Sequence, residues 1–171
     1  MPKPSLSTSA KLAFGLTLLL AGAFYYLFSN LHDRVEQQYL EAVEEPMVDA
    51  AHLFAALVEQ GISADGTIDV ETLRETFARA RGRELEAQIY GHLKTGVTMN
   101  VYVTDAKGIV LYDSDDGRAE GKDYSIYNDF IRTMDGKYGA RSTRDDESDE
   151  GSSIMFVAAP IYHGGEIIGV A

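Results

Sequence analysis

Asn100-Val-Tyr-Val-Thr-Asp-Ala-Lys-Gly-Ile-Val-Leu-Tyr-Asp-Ser114 is the stretch that decides the fold. Val101 and Val103 alternate with Tyr102 and Thr104, Asp105-Ala106-Lys107-Gly108 supplies turn chemistry, and Ile109 to Tyr112 resumes in β-branched and aromatic residues. The pattern predicts a β-hairpin. Asp105, at the first position of the turn, can accept hydrogen bonds from the backbone ahead of it, and Gly108 can take the positive φ that lets the second strand leave in register. The helices predicted before this ribbon and the strands predicted after it are expected to cover it, which makes the fold class α+β.

The same stretch carries a resemblance. An aspartate and a glycine three residues apart between two apolar strands, then a small polar residue and a loop reaching Gly121-Lys122-Asp123-Tyr124-Ser125, resembles the periplasmic PAS-like (Cache) sensor domains. Three further blocks, Thr98 to Asp105, Gly136-Lys-Tyr-Gly-Ala-Arg-Ser-Thr143 and Phe156-Val-Ala-Ala-Pro-Ile161, look like the CreC-type sensor histidine kinases. The resemblance covers residues 95–171 in its motifs and the first ninety in layout. It implies a transmembrane helix continuing into a long helix that caps a PAS-like antiparallel sheet of about five strands. It also implies a kinase beyond a second membrane span, where ATP and magnesium are used and a CreB-like response regulator receives the phosphoryl group. None of those catalytic parts lies in these residues.

Length and composition set the bounds. A chain of 171 residues holds one folded domain plus one extra element. Zero cysteines exclude disulfides, a thiol nucleophile and cysteine-ligated metal. A net charge of −12, with the basic residues scattered, argues against a nucleic-acid partner, because phosphate binding needs clustered Lys and Arg.

Lys3 and Lys11 are the only charges before Leu12, and Leu12 to Phe28 is a run of seventeen uncharged residues. At ~1.5 Å per residue it spans about 25 Å, and snorkelling of Lys11 with extension through Leu31 approaches a hydrocarbon core of ~30 Å. The reading is a cytoplasmic N-terminus at 1–11, a membrane span at 12–30 and a periplasmic sensor domain at 31–171, cut short at its C-terminal end. Lysines before the span, with Asp33 and Glu36 after it, give the orientation in a bacterial inner membrane. Ala21-Gly22-Ala23 has signal-peptidase spacing, but Phe24-Tyr-Tyr-Leu-Phe28 continues the apolar run past it, which favours a retained span.

From Leu31 to Gln60 apolar residues recur in steps of four and three, one stripe on a long helix, expected to pair in a homodimer near the membrane and to pack on the sheet beyond Pro46. Pro46 predicts a kink or restart near Glu44-Glu45. Asp69 is positioned to cap a second helix, with Val70, Leu73, Phe77, Leu85 and Ile89 as its buried face. After the hairpin come a loop at 115–124, a short helix at 127–134 with Phe130 and Ile131 inward, and strands at 137–143, 154–162 and 167–171, with a tight turn at His163-Gly-Gly-Glu166.

The residues that can carry chemistry point to binding. No nucleophile elbow, metal helix, phosphate loop or kinase ATP signature is present, and His32, His52, His92 and His163 have no ligand spacing. Asp145, Asp146, Glu147, Asp149 and Glu150 put five carboxylates into six residues, a solvated loop or a divalent-cation platform, since hard cations gather oxygen ligands. A second set comprises Tyr102, Tyr112, Tyr124, Tyr127, Arg132, Arg141 and Tyr162. By the Cache resemblance, the ligand pocket falls on Tyr112, Tyr124, Tyr127 and Arg132. Arg and Tyr suit a small carboxylate or amide through a bidentate fork and oriented hydroxyls. No Arg-x-x-His pair occurs, which speaks against citrate.

The function these features imply is the extracytoplasmic sensing region of a membrane histidine kinase. The alternatives are the sensor of a chemoreceptor or cyclic-dinucleotide enzyme, or a membrane-anchored periplasmic binding module without kinase output.

Overall fold

A computed structural model describes residues 7–144 and 152–171. The chain divides into two units, Met1–Glu45 and Pro46–Ala171. In the first, helix α1 (Thr8–Gln60, which also supplies the opening residues of the second unit) begins with an apolar face all round. Thr8–His32 is long and apolar enough to cross a membrane, and none of that stretch is buried within the protein. Leu12, Phe14, Leu19 and Phe24 to Phe28 are all exposed. The helix runs through Pro46 without the restart that was one of the two outcomes expected there. The division between the two units falls at that residue.

In the second unit, α1 presents Ala55 and Val58 inward, both 2% exposed, with Ala51, Phe54 and Ile62 beside them. Helix α2 (Val70–Arg81) is capped as its sequence predicts: the Asp69 carboxylate accepts from the Thr72 amide at 3.0 Å and from its hydroxyl at 2.6 Å. Val70, Leu73 and Phe77 face the core. The helix ends at Gly82, whose amide reaches the Ala78 carbonyl, so Leu85 and Ile89 do not extend its buried face. Ile89 instead lies exposed in a hairpin of β1 (Ala87–Ile89) and β2 (His92–Lys94) that the sequence reading missed. Its turn holds Tyr90 at a φ of 51°, a conformation that its bulky side chain does not advertise.

The central hairpin forms as expected. β3 (Tyr102–Thr104) pairs antiparallel with β4 (Val110–Asp113), with a bulge between Val103 and Thr104. One Asp105 oxygen accepts from the amides of Lys107 and Ile109, both at 2.9 Å, and Gly108 takes a φ of 85°. The loop after β4 folds back along its free edge. Val110 donates to the Lys122 carbonyl, Gly121 to Val110 and Tyr124 to Gly108, so the edge is covered rather than open. This brings the Ser125 backbone against Gly108, where a Cβ would sit 2.6 Å from the Ser125 nitrogen.

Helix α3 (Asn128–Met134) follows, then β5 (Gly139–Arg144), β6 (Ser153–Ala158), β7 (Pro160–His163) and β8 (Glu166–Val170). Phe130 is buried as predicted, whereas Ile131 is 46% exposed; the inward face of α3 is Asp129, Phe130 and Thr133. The single strand expected over 154–162 is two strands, divided at Ala159 because Pro160 has no amide to continue the ladder. Gly164 and Gly165 both take positive φ in the β7–β8 turn, the geometry of a tight two-residue hairpin.

Among the described residues, ladder hydrogen bonds join the strands in four two-stranded antiparallel pairs, β1–β2, β3–β4, β5–β6 and β7–β8, and no ladder connects these pairs into the single sheet of about five strands expected from the sequence. β3 and β8 are joined by a side chain instead. The buried Thr104 hydroxyl accepts from the Val170 amide at 3.2 Å, and Gly169 lies so close to the Thr104 carbonyl that a Cβ there would overlap it. The resulting core runs from Ala55, Val58 and Leu73 through Val103 and Tyr112 to Ala159 and Ile161, with Phe130, Ala158 and Val170 as a second cluster.

Candidate ligand-binding site

Alternation along β3 and β4 separates the predicted tyrosines. Val103 and Tyr112 are opposite one another and share the face toward α1 and α2, so Tyr112 is a core residue, 2% exposed, with its ring 5.7 Å from Phe77. Tyr102 and Asp113 take the other face. Of the four residues expected to form one pocket, Tyr124 and Tyr127 meet edge to face at 4.9 Å, while Tyr112 lies apart from them. Arg132 is exposed and donates its Nε to the Tyr138 carbonyl at 2.7 Å, tying α3 to the turn after it. Tyr162 is 46% exposed and stands outside the group. Asp145, Asp146, Glu147, Asp149 and Glu150 lie outside the described residues, and no cluster of potential metal ligands occurs among the described ones.

What the fold does gather around Tyr124 and Tyr127 is a buried ion pair. Phe130 is anchored among Ala158 and Val170, which turns its neighbour Asp129 and, one turn on, Thr133 toward β5. Gly139 permits the approach, since a Cβ there would overlap the Asp129 carbonyl and the Thr133 hydroxyl. Arg141, two residues along β5, emerges on the same face and donates its Nε to Asp129 Oδ2 at 2.8 Å. Its guanidinium is 3.9 Å from the centre of Phe156, its direct cross-strand neighbour, 4.1 Å from Tyr127 and 5.5 Å from Tyr124. Tyr102 closes the group from β3, donating its hydroxyl to the same Asp129 oxygen at 2.6 Å and stacking edge-on with Tyr124 at 5.2 Å.

The electrostatics follow from burial. Side-chain exposure is 0% at Asp129 and 12% at Arg141, so their attraction is little screened by water. Burial pushes the Tyr102 phenol well above the usual tyrosine range, and the adjoining Asp129 charge pushes it further, with Arg141 a smaller opposing influence. Tyr124 is raised as well, by burial first. The Tyr102 hydroxyl is thereby held as the donor to Asp129. Asp129 Oδ1 and Thr133 Oγ1 are buried and have no hydrogen-bond partner among the described residues. The cluster can thus accept one further donor on Asp129 and exchange a hydrogen bond with the Thr133 hydroxyl, inside aromatic walls.

Asp129 escaped the sequence reading. The available signal was the helical spacing of Asp129, Phe130 and Thr133 together with Gly139-x-Arg141, which puts a small residue and a cation on one strand face. An N-terminal helix long and apolar enough to cross a membrane thus leads into an α+β unit with a closed polar cluster. No family model matches the chain. Sensor protein CreC of Escherichia coli (strain K12) is 38% identical over 161 residues, which is 94% of this chain and 33% of that protein. The resemblance to the CreC type, first seen in three short blocks, therefore holds over nearly the whole chain. The chain spans about a third of the length of that curated relative.

Proposed function

We propose that these residues are the extracytoplasmic sensing region of a membrane-bound two-component sensor histidine kinase of the CreC type. The carrying observation is the 38% identity that extends over 94% of the chain to a protein named as a sensor. In this reading Thr8–His32 crosses the inner membrane with Lys3 and Lys11 on the cytoplasmic side, and the unit from Pro46 onward lies in the periplasm. The β3–β4, β5–β6 and β7–β8 pairs are parts of one PAS-like layer, a reading supported by the Thr104 clasp onto Val170. Two copies associate through the face of α1 that carries Leu53 and Leu57, which are 68% and 62% exposed. ATP, magnesium and the response regulator belong to the remaining two-thirds of such a protein.

The stimulus acts on the cluster around Asp129. A ligand shifts the equilibrium only by its difference in affinity for two packings, and the packing available for change here is that of α3 against β5 and β3, held by the Asp129–Arg141 pair and the Tyr102 hydroxyl. The test is to sequence the gene past residue 171 and assay its full product in membranes for ATP-dependent histidine phosphorylation. A second apolar span, a phospho-acceptor histidine and labelling that transfers to a response regulator are expected. A cyclase or methylated coiled-coil domain in that place, or termination soon after Ala171, overturns the proposal.

A further inference from the structure

A groove of about 200 Å³ separates α2 from β4 and the loop that follows it, on the face of the hairpin opposite the Asp129 cluster. Its helix wall carries Arg74 and Arg81, two turns apart and therefore on one side of α2. Phe77 and Tyr112 form an aromatic wall between them, and Ser114 and Asp116 stand on the loop side. Water occupies ~30 Å³ and drug-sized pockets begin near 300 Å³, so the space suits a small metabolite.

Both guanidiniums are held in position, and Arg74 is engaged by two carboxylates, Glu120 and, at 3.8 Å, Glu71. Arg74 donates one terminal nitrogen to the Glu120 carboxylate at 3.0 and 3.2 Å and sits 5.7 Å from the centre of the Tyr112 ring. Arg81 donates one terminal nitrogen to Asn100 Oδ1 at 2.6 Å and to Ser114 Oγ at 3.3 Å. A guanidinium has five N–H donors in a planar fork, so Arg81 keeps donors for a carboxylate. On the loop wall, Asp113 is committed, one oxygen to the Asp115 amide and the other to the Ala119 amide. Asp116 is not. Its carboxylate is exposed with no hydrogen bond or ion pair among the described residues, and its backbone takes a φ of 54°, a left-handed position that a non-glycine residue rarely holds.

Charge balance selects the ligand class. Arg74 is already neutralised by the Glu120 carboxylate, which leaves Arg81 on the helix wall facing the uncommitted Asp116 on the loop wall, so the lining carries no excess positive charge and is strongly divided. A dianion meets as much repulsion as attraction there, whereas a molecule with a carboxylate and an ammonium meets a partner for each. We propose that this groove binds a small zwitterion of amino-acid type, its carboxylate on Arg81, its ammonium on Asp116 and its apolar part against Phe77 and Tyr112. Bound there, it bridges α2 to the loop after β4. The inference concerns binding by these residues and stands apart from the kinase reading.

The test uses the full chain in detergent micelles, with thermal unfolding read against a mixture of the twenty common amino acids, then against each one that contributes. Propionate, propylamine and inorganic phosphate at the same concentration serve as single-charge and dianion comparisons. The expected result is a stabilising shift from one or more amino acids and little or none from the comparison solutes. Asp116→Asn preserves a residue tolerant of the left-handed backbone, and Arg81→Gln removes the charge while keeping a polar, helix-compatible side chain; each weakens the response by about tenfold or more, the effect of losing one charge-assisted hydrogen bond. Lys107→Gln, on the exposed turn of the central hairpin, leaves the response unchanged. No shift with the mixture, a phosphate shift as large as the amino-acid shift, or responses unaltered in both groove variants overturns the assignment.

Discussion

Removing the Arg141 side chain tests whether the Asp129 cluster is a closed electrostatic unit. Asp129 is wholly buried, and its bonded oxygen takes one hydrogen bond from Arg141 and one from Tyr102. Arg141→Ala leaves the carboxylate with the phenol alone, and breaking a buried pair in this way costs about 3–5 kcal/mol. Loss of the guanidinium from the faces of Phe156 and Tyr127, at 3.9 and 4.1 Å, adds about 0.5–2 kcal/mol. Against a typical stability of about 5–15 kcal/mol, that is a large fraction. Urea unfolding of the chain in micelles, followed by near-ultraviolet circular dichroism of the tyrosines, reads it directly, since the chain has no tryptophan. Asp129→Asn in the Arg141→Ala background removes the stranded charge, so the two substitutions together should cost less than the sum of the singles by about 1–3 kcal/mol. A loss below about 1 kcal/mol for Arg141→Ala, or strict additivity in the double variant, would mean that water already screens the pair, and the cluster would not be the closed site described.

Other perturbations have equally definite outcomes. Because the folded-state pKa of Tyr102 is raised above its unfolded value, through burial and then Asp129, the native state keeps a proton that the unfolded chain releases above pH of about 10. Stability should therefore fall as pH rises beyond that point, and Tyr102→Phe should flatten the decline; an unchanged slope in the variant would refute the assignment. Gly169→Ala drives a methyl into the Thr104 carbonyl and should lower the melting temperature severely, whereas Gly91→Ala, with open space around it, should change it little. Gly108→Ala combines a φ of 85° with collision against Ser125 and should destabilise by about 1–2 kcal/mol or more in a denaturant titration. Leu53→Cys and Leu57→Cys should cross-link two copies in membranes on mild oxidation if α1 pairs along that face, while Val58→Cys, buried at 2%, should not.

Local chemistry was legible wherever it was self-contained. The Asp105–Gly108 turn, the Asp69 cap and the Gly164-Gly165 turn each declare themselves within four residues, because the groups that satisfy the backbone are neighbours in sequence. The β1–β2 hairpin was missed because its turn places Tyr90, rather than glycine or asparagine, at positive φ. The candidate site was half legible. Tyr124 and Tyr127 do lie in contact, but strand parity sends Tyr112 to the opposite face, and the partner of Arg141 is twelve residues away across a helix and a turn. Pairings of that kind depend on how α3 is seated, and its seating is decided by Phe130, Ala158 and Val170 together.

The three residues of β3 also bear on how this sequence can change over evolutionary time. Tyr102 serves the Asp129 cluster, Val103 the packing under α1 and α2, and Thr104 the clasp to Val170. Inserting or deleting a single residue in the 105–109 turn would slide β4 against β3 by one, turning Tyr112 out of the aliphatic layer and Leu111 or Asp113 into its place opposite Val103. Homologues should accordingly keep the length of this ribbon invariant, and gaps in their alignment should collect instead at the exposed Tyr90-Gly91 tip, where the glycine has open space around it.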